Sequence, residues 1–335
     1  MTHLDGFQSP DTEESTGTSI VIPNWNGLSW LDGVLSSIQR QDEQPLEIVV
    51  VDNGSTDGSV DYLQANWPEV TVLHWHENRG FAAAANDGIR HAAGDLIALI
   101  NTDIVLEPDW LRRASQSLRL RPDAASVATK MLDMHDRTRI YDTGDFLRRD
   151  GACEQRGRFK PDTGAFNEPG EVWSACAGAA VYRRQAVLDA GGFDERFVTY
   201  MEDVELGLRL RLLGWKCLYE PCVALHAGGG SEAALSGGAT QWVERNTILL
   251  IARHFPLRWL GPVIYRQISW KLNALRSGNL IPFVRGFFGG VRLIPSMLRS
   301  RSRDTSSSLV VPIEEAIPWR PWHGSSAGGH RASPV

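Results

Sequence analysis

Apolar and polar positions follow two different periods along this chain. Residues 18–23 form an apolar run that stops at Pro23 and passes into the polar loop Asn24-Trp25-Asn26-Gly27, which predicts a buried first strand. Residues 28–40 then switch to helical spacing, with Leu31, Val34, Leu35 and Ile38 on one face. A β-branched run at 48–51 ends on Asp52 and a turn-rich NGSTDG segment, so the three pieces make a β-α-β unit. Residues 82–93, rich in alanine, predict a helix opened by Asn78-Arg79-Gly80-Phe81, and a strand at 95–100 follows, ending on Asn101-Thr102-Asp103. Further on, Val204, Leu206, Leu208, Leu210 and Leu212 alternate as a strand does, while Leu206, Leu210 and Leu213 equally make a helical stripe.

The polar residues at these strand ends are where chemistry is expected. Continuous Val/Ile runs suit parallel strands covered on both faces, and in such sheets ligands bind at the carboxyl ends. Asp52 therefore either faces a crevice or closes an Asx-turn. The free amides at the helix start near Arg79 and Gly80 suit an anion. Asn101 and Asp103, one residue apart, offer hard oxygen ligands to Mg²⁺ or Mn²⁺. Glu202 and Asp203 are adjacent carboxylates, read either as a raised-pKa general base or as a solvated helix start. His226 closes an apolar run and is open to a ligand role or a structural one.

Taken in order, SIVIPNWNG, VVVDNGSTDGS, NRGFAAAANDG, LINTDI, CAGAAVYRR, GGFDERFVTYMEDVELGLRLRLLGW and LHAGGGS resemble the family 2 glycosyltransferases of the GT-A fold. The match covers about residues 18–232. Within the family, NRG followed by N-x-D is similar to bacterial enzymes that transfer rhamnose or related sugars to cell-wall and O-antigen lipid intermediates. The resemblance implies an α/β fold, a Rossmann-like mixed sheet flanked by helices, and it decides for a helix over the leucine alternation. It also implies site residues. Pro23, Asn24, Asn26, Asp52, Asn53, Arg79 and Gly80 would hold the nucleotide-sugar with Asn101 and Asp103; Asp103, with His226, would hold the divalent cation. Asp203 would be the catalytic base and Glu202 its partner, while Gly178 lets the acceptor approach. The implied reaction is an inverting transfer, with dTDP-L-rhamnose as donor and a polyprenyl-diphosphate-linked saccharide as acceptor. Two departures stand out: Asn101 replaces the first aspartate of the fuller motif, and Gln241-Trp242-Val243-Glu244-Arg245-Asn246 has the wrong spacing for the Q-x-x-R-W of processive members. A single-addition enzyme is expected.

Composition adds a second region. With 335 residues and no internal repeat, the chain can bury one large α/β core plus an appendage. The four cysteines form no C-x-x-C pair, which argues against a zinc site or disulfide framework and for a reducing compartment. Residues 1–244 hold 21 basic and 37 acidic residues, whereas 245–303 hold eleven basic and none acidic. That segment interleaves its charges with Trp259, Tyr265, Trp270, Phe283, Phe287 and Phe288, without an uncharged apolar stretch long enough to span a bilayer. It reads as a basic amphipathic appendage lying on the cytoplasmic face of the plasma membrane, or as a helical hairpin packed on the catalytic domain. No nucleic-acid-binding module is recognisable. The expected organisation is a disordered leader at 1–17 that is no signal peptide, a catalytic domain at 18–244, the appendage at 245–303 and a disordered tail at 304–335. Two other classes share much of the pattern. A sugar-phosphate nucleotidylyltransferase needs a basic phosphate loop after the first strand, where this chain has PNWNG. A nucleotide-sugar-binding scaffold needs everything but a working base.

Overall fold

Alternate residues of the apolar runs go to opposite sides of one sheet, and this sorts the chain into layers. In the computed structural model, which describes residues 17–228, 238–304 and 310–318, β1 (Thr18–Asn24) sends Ile20 and Ile22 to one core and Val21 to the other. Residues 1–16 of the expected leader, residues 305–309 and 319–335 of the expected tail, and the end of the LHAGGGS segment lie outside the described residues. The expectation of a disordered tail is corrected for residues 310–318, which fold onto the domain: Ala316 and Ile317 are buried, and Trp173 Nε1 donates to the Ala316 carbonyl at 2.7 Å.

The elements follow as α1 (Leu28–Gln39), β2 (Glu47–Asn53), α2 (Ser59–Asn66), β3 (Thr71–Trp75), α3 (Phe81–His91), β4 (Leu96–Ile100), β5 (Ile104–Leu106), α4 (Trp110–Arg119) and β6 (Ala124–Asp133). Then come β7 (Ile140–Asp142), β8 (Asp145–Leu147), β9 (Cys153–Gln155), β10 (Gly170–Val172), β11 (Ala179–Arg183), α5 (Arg184–Asp189), α6 (Glu202–Leu212) and β12 (Lys216–His226). The last are α7 (Gly238–His254), α8 (Leu260–Arg276), α9 (Leu280–Asp304) and the short α10 (Ile313–Ala316). The main sheet runs β10-β12-β6-β11-β4-β1-β2-β3, with β5 on β12 and β7 on β6; β8 and β9 form a separate ribbon. The strands β3, β2, β1 and β4 are parallel, and β11 enters antiparallel beside β4. The strand order turns back at β1 and β4, so their carboxyl ends open a crevice at the switch point.

Helix α3 lies tight against the sheet because it is built from small residues. A Cβ on Gly88 would stand 2.3 Å from a methyl of Val21, so only glycine fits there. The leucine alternation is a helix, and the structure explains why it looked like a strand. Leu206 and Leu210 pack on the sheet side, while Val204, Leu208 and Leu212 pack under the C-terminal helices. Two stripes of period four, offset by two residues, together read as period two.

The boundary expected between 244 and 245 is corrected, because α7 runs through it unbroken from Gly238 to His254. Residues beyond it belong to the core. The Asn246 amide nitrogen lies 2.7–2.9 Å from the carbonyls of Phe197, Thr199 and Tyr200. Arg253 pairs with Asp194 at 2.7 Å and with Glu205 at 2.8 Å. Burial alone would raise the Glu205 carboxyl, but Arg209, Arg253 and His254 outweigh it and hold the group well below the usual range. None of the described helices is long and apolar enough to cross a membrane. The aromatic residues of the appendage divide: Trp259 and Phe283 are buried, Trp270 is half-buried, and Tyr265 and Phe288 are exposed.

Candidate active site

The loops after β1 and β2 are laced together before any ligand is considered. Asn24 donates through Nδ2 to Asp52 Oδ2 at 2.8 Å and to Ser55 Oγ at 3.2 Å. The Asn26 N–H donates to Ser55 Oγ at 2.8 Å, and its Oδ1 accepts from the Thr56 N–H at 2.8 Å. Asp52 is fully buried and its other oxygen accepts from the Ser55 N–H at 3.0 Å and meets His74 Nδ1 at 3.1 Å. Asn53 reaches the next loop, accepting from the Arg79 N–H at 2.8 Å and donating to Gly80 O at 3.1 Å. Gly80 has φ +91°, and a Cβ there would stand 2.8 Å from the Val198 carbonyl. Glycine is required at this crossing.

These loops, the ends of β4 and β12 and the start of α6 enclose a cavity of about 500 Å³. Of the expected residues, Pro23, Asn24, Asn53, Gly80, Asn101, Asp103, Gly178, Glu202, Asp203 and His226 line it. Asn26, Asp52 and Arg79 do not. Asp52 stands behind the wall as the hydrogen-bonded support of Asn24, the exposed Asn26 is tied to Ser55 and Thr56 instead, and Asn24 keeps Oδ1 buried without a partner. The exposed Arg79 guanidinium lies over the Trp75 ring, 4.6 Å from its centroid.

At the end of β4, the Asn101 N–H donates to Gly178 O at 2.9 Å. A Cβ on Gly178 would make only ordinary contacts, 3.5 Å to Asn101 Nδ2, so packing does not demand glycine there. Asp103 Oδ1 lies 3.2 Å from His226 Nε2, both side chains being buried. Their meeting follows from the pairing of β5 with β12, which sets His226 opposite Ile104. His226 Nδ1 is buried without a partner, and Tyr141 packs edge-on against the ring at 4.1 Å. One carboxylate and one imidazole suit Mn²⁺ or Mg²⁺, and ligands on neighbouring octahedral positions stand about 3 Å apart. The pair fits a divalent cation, with Asn101 beside it.

The acidic pair follows a strained loop. Val198, Tyr200 and Met201 have φ of 65°, 67° and 66°, unusual for side-chain-bearing residues and a mark of sites the surroundings over-determine. Asp203, the second residue of α6, accepts from the Ala177 N–H at 3.0 Å and from its neighbour Val204 at 2.8 Å. Burial raises its carboxyl despite these bonds. Glu202 is raised well above the usual range by burial and by Asp203, and its Oε2 is buried without a partner.

Three further groups escaped the sequence reading, and a fourth, Trp270, was placed only in the appendage. Asp142 and Asp145 flank a tight turn at Gly144, φ +114°; both carboxyls are buried, Asp145 lining the cavity and Asp142 feeling the Asp203 charge without lining it. Burial, with Asp203 adding, pushes Asp142 up to about 7; burial, then Asp142 and Asp203, raise Asp145 well above its ordinary value. Ligating atoms of Asp145, Cys176 and Asp203 lie within 4.8 Å of one another. Arg158 and Trp270 also line the cavity. The segments of Asp142, Asp145 and Arg158 carry no periodicity or motif that would have marked them, and Trp270 is marked in the sequence only as an aromatic of the basic appendage.

The family model for glycosyl transferase family 2 matches residues 19–190. An N-acetylglucosaminyl-diphospho-decaprenol L-rhamnosyltransferase from Mycobacterium tuberculosis is 29% identical over 278 residues, 75% of this chain and 88% of that one. The O-antigen biosynthesis protein RfbC of Myxococcus xanthus is 28% identical over 257 residues, 73% of this chain and 19% of its own length. Among solved structures, a mannosyltransferase from Pyrobaculum calidifontis in complex with GDP-Man and Mn²⁺ aligns with a TM-score of 0.51 at 18% identity, covering 90% of this chain and 83% of that one. That likeness concerns the fold, which is GT-A. With more than half its length matched by the family model, and the acidic pair and the N-x-D residues meeting in one cavity, the chain belongs to glycosyl transferase family 2.

Proposed function

We propose that this enzyme is an inverting, single-addition glycosyltransferase that moves a sugar from a nucleotide-diphospho-sugar to a lipid-linked saccharide in cell-envelope polysaccharide synthesis. The observation that carries the reading is that Asp203, fixed by the Ala177 N–H, shares one cavity with the Asp103–His226 pair. Asn24, braced by Asp52, and the wall of Pro23, Asn53 and Gly80 hold the nucleotide; Asn101 and Asp103 face the sugar and diphosphate. A divalent cation, Mg²⁺ or Mn²⁺, held by Asp103 and His226, would supply charge neutralisation for the diphosphate. Asp203 takes the proton from the acceptor hydroxyl as its oxygen attacks the anomeric carbon. Its raised pKa makes the carboxylate a stronger base, and the two backbone N–H bonds aim it. Glu202, the residue before it, with its carboxyl pushed well above the usual range by burial and by Asp203, holds the acceptor side.

The identity to the mycobacterial protein favours L-rhamnose and a polyprenyl-diphosphate-linked acceptor, and dTDP-L-rhamnose is the donor that the sequence resemblance implies. A lipid acceptor is reached at a membrane. The outer face of α8 supports a peripheral position on the cytoplasmic leaflet: Ile264, Tyr265, Ile268, Leu272 and Leu275 are all exposed there, beside Lys271 and Arg276. The test is nucleoside diphosphate release from a panel of nucleotide-sugars, with and without a lipid-linked acceptor, followed by mass spectrometry of the product. Acceptor-dependent release supports the transferase. Pyrophosphate release indicates nucleotidylyl transfer, and binding without turnover a scaffold.

A further inference from the structure

We propose that Arg158 is a diphosphate-binding residue of this cavity. The assignment rests on the transferase reading, because it takes its ligand from the reaction's own components. Four carboxyl groups, Asp103, Asp145, Glu202 and Asp203, line the space, and Arg158 is the single arginine or lysine lining it among the described residues. Elsewhere on the protein, arginines near carboxylates pair with them, as Arg113 does with Glu220 at 2.6 Å and Arg266 with Asp150 at 2.5 Å. Arg158 makes no such ion pair among the described residues. Instead its guanidinium lies over the Tyr141 ring at 4.2 Å and over the Phe159 ring at 4.8 Å and also hydrogen-bonds Tyr141, which engages one of its five N–H donors and leaves others for a ligand.

The backbone on both sides is set for this. Gly157 has φ +79° and Phe159, which bears a side chain, has φ +63°. Two successive departures into the left-handed region around one arginine fix where its Cα sits, and strain of this kind gathers at ligand sites. Contact then runs in one line from the cation to the metal-binding pair: Arg158 on Tyr141, Tyr141 on His226 at 4.1 Å, His226 on Asp103 at 3.2 Å. This path puts the positive charge beside the place where the donor's diphosphate departs. The need for it follows from Asn101. With one carboxylate rather than two in the N-x-D motif, Arg158 adds the second positive element that a multiply charged leaving group requires, and a guanidinium fork suits phosphate oxygens.

Diphosphate chemistry reaches the cavity from two sources, the nucleotide donor and the isoprenyl-linked acceptor, and binding measurements on the full chain separate them. Calorimetric titration with dTDP, UDP and GDP in the presence of Mn²⁺ identifies which nucleoside diphosphate the wild type binds. The same nucleotide, its monophosphate, and farnesyl diphosphate are then titrated into Arg158→Gln and Arg158→Lys. If the donor is the source, Arg158→Gln weakens the nucleoside diphosphate about tenfold or more, the loss of charge-assisted bonds to phosphate, while the monophosphate and farnesyl diphosphate are unchanged. Arg158→Lys falls between. Selective loss of farnesyl diphosphate supports the assignment with the acceptor as source. Equal weakening of the mono- and diphosphate, or no change in a variant with the wild-type melting temperature, overturns it as a packing residue only. If the wild type binds none of the nucleoside diphosphates, the transferase reading itself fails and the assignment goes with it.

Discussion

Replacing Asp142 by asparagine isolates the cost of crowding carboxyls around Asp203, the proposed base. Asp142 is 1% exposed; its Oδ1 accepts from the Gly144 N–H at 2.6 Å, and its Oδ2 is buried without a partner. Burial first, and the Asp203 charge after it, lift its pKa from 3.8 to about 7. The folded protein therefore holds this proton more tightly than the unfolded chain. Stability from the protonated form is fully present below about pH 4 and is lost as pH rises through about 7. A shift of about three units at about 1.4 kcal/mol each amounts to about 4 kcal/mol at most. Asparagine keeps the bond from Gly144, adds no charge and cannot titrate. Urea denaturation of both proteins, followed by circular dichroism at about pH 5 and about pH 8, reads the effect. The variant should gain on the wild type by up to about 4 kcal/mol between the acid and alkaline limits, most of it above pH 5. Asp145, Glu202 and Asp203 are raised too, so both proteins lose stability as pH rises, and the difference between them is the test. An offset that stays constant across pH would refute the account, since packing alone has no proton linkage.

The other expectations concern the chemistry and its surface. Asp203→Asn should lower kcat about 10² to 10⁴-fold with donor binding retained; near-normal turnover by the folded variant would remove Asp203 as base. Asp103→Ala should abolish turnover and chelator should silence the wild type, an expectation that full activity in excess EDTA contradicts. Leu208→Ala, which empties a fully buried site between α6 and the C-terminal helices, should cost about 2–5 kcal/mol in denaturation; a loss under 1 kcal/mol would mean that these layers are not one core. The triple exchange of Ile264, Ile268 and Leu272 to serine should leave the melting temperature nearly unchanged and weaken sedimentation with anionic liposomes in high salt. Undiminished sedimentation would move the contact off α8.

Strand positions were legible because their cause is local. An apolar run long enough for a strand, stopped by Pro23 or by the turn after Asp52, has one sensible place in a parallel sheet, and polar residues at its carboxyl end fall at the crevice by topology. Helix α6 was ambiguous because a helix buried on both faces loses the contrast that identifies it; Leu206 and Leu208 look alike until one meets the sheet and the other the C-terminal helices. Tertiary structure alone decided which marked residues touch the cavity. Asp52 is spent on bracing Asn24, Asn26 on the turn at Ser55 and Thr56, and Arg79 lies outward on Trp75, since a residue's place in a motif does not say which way its side chain turns. It alone brought Asp145 and Arg158 to the cavity and Asp142 within reach of the Asp203 charge as well. They stand on short strands and turns, where no hydrophobic period marks orientation, and only the pairing of β7 with β6 and β8 with β9 carries them to carboxylates far away along the chain. What the linear chain determined was the order of its apolar runs; what folding added was the company its charged groups keep.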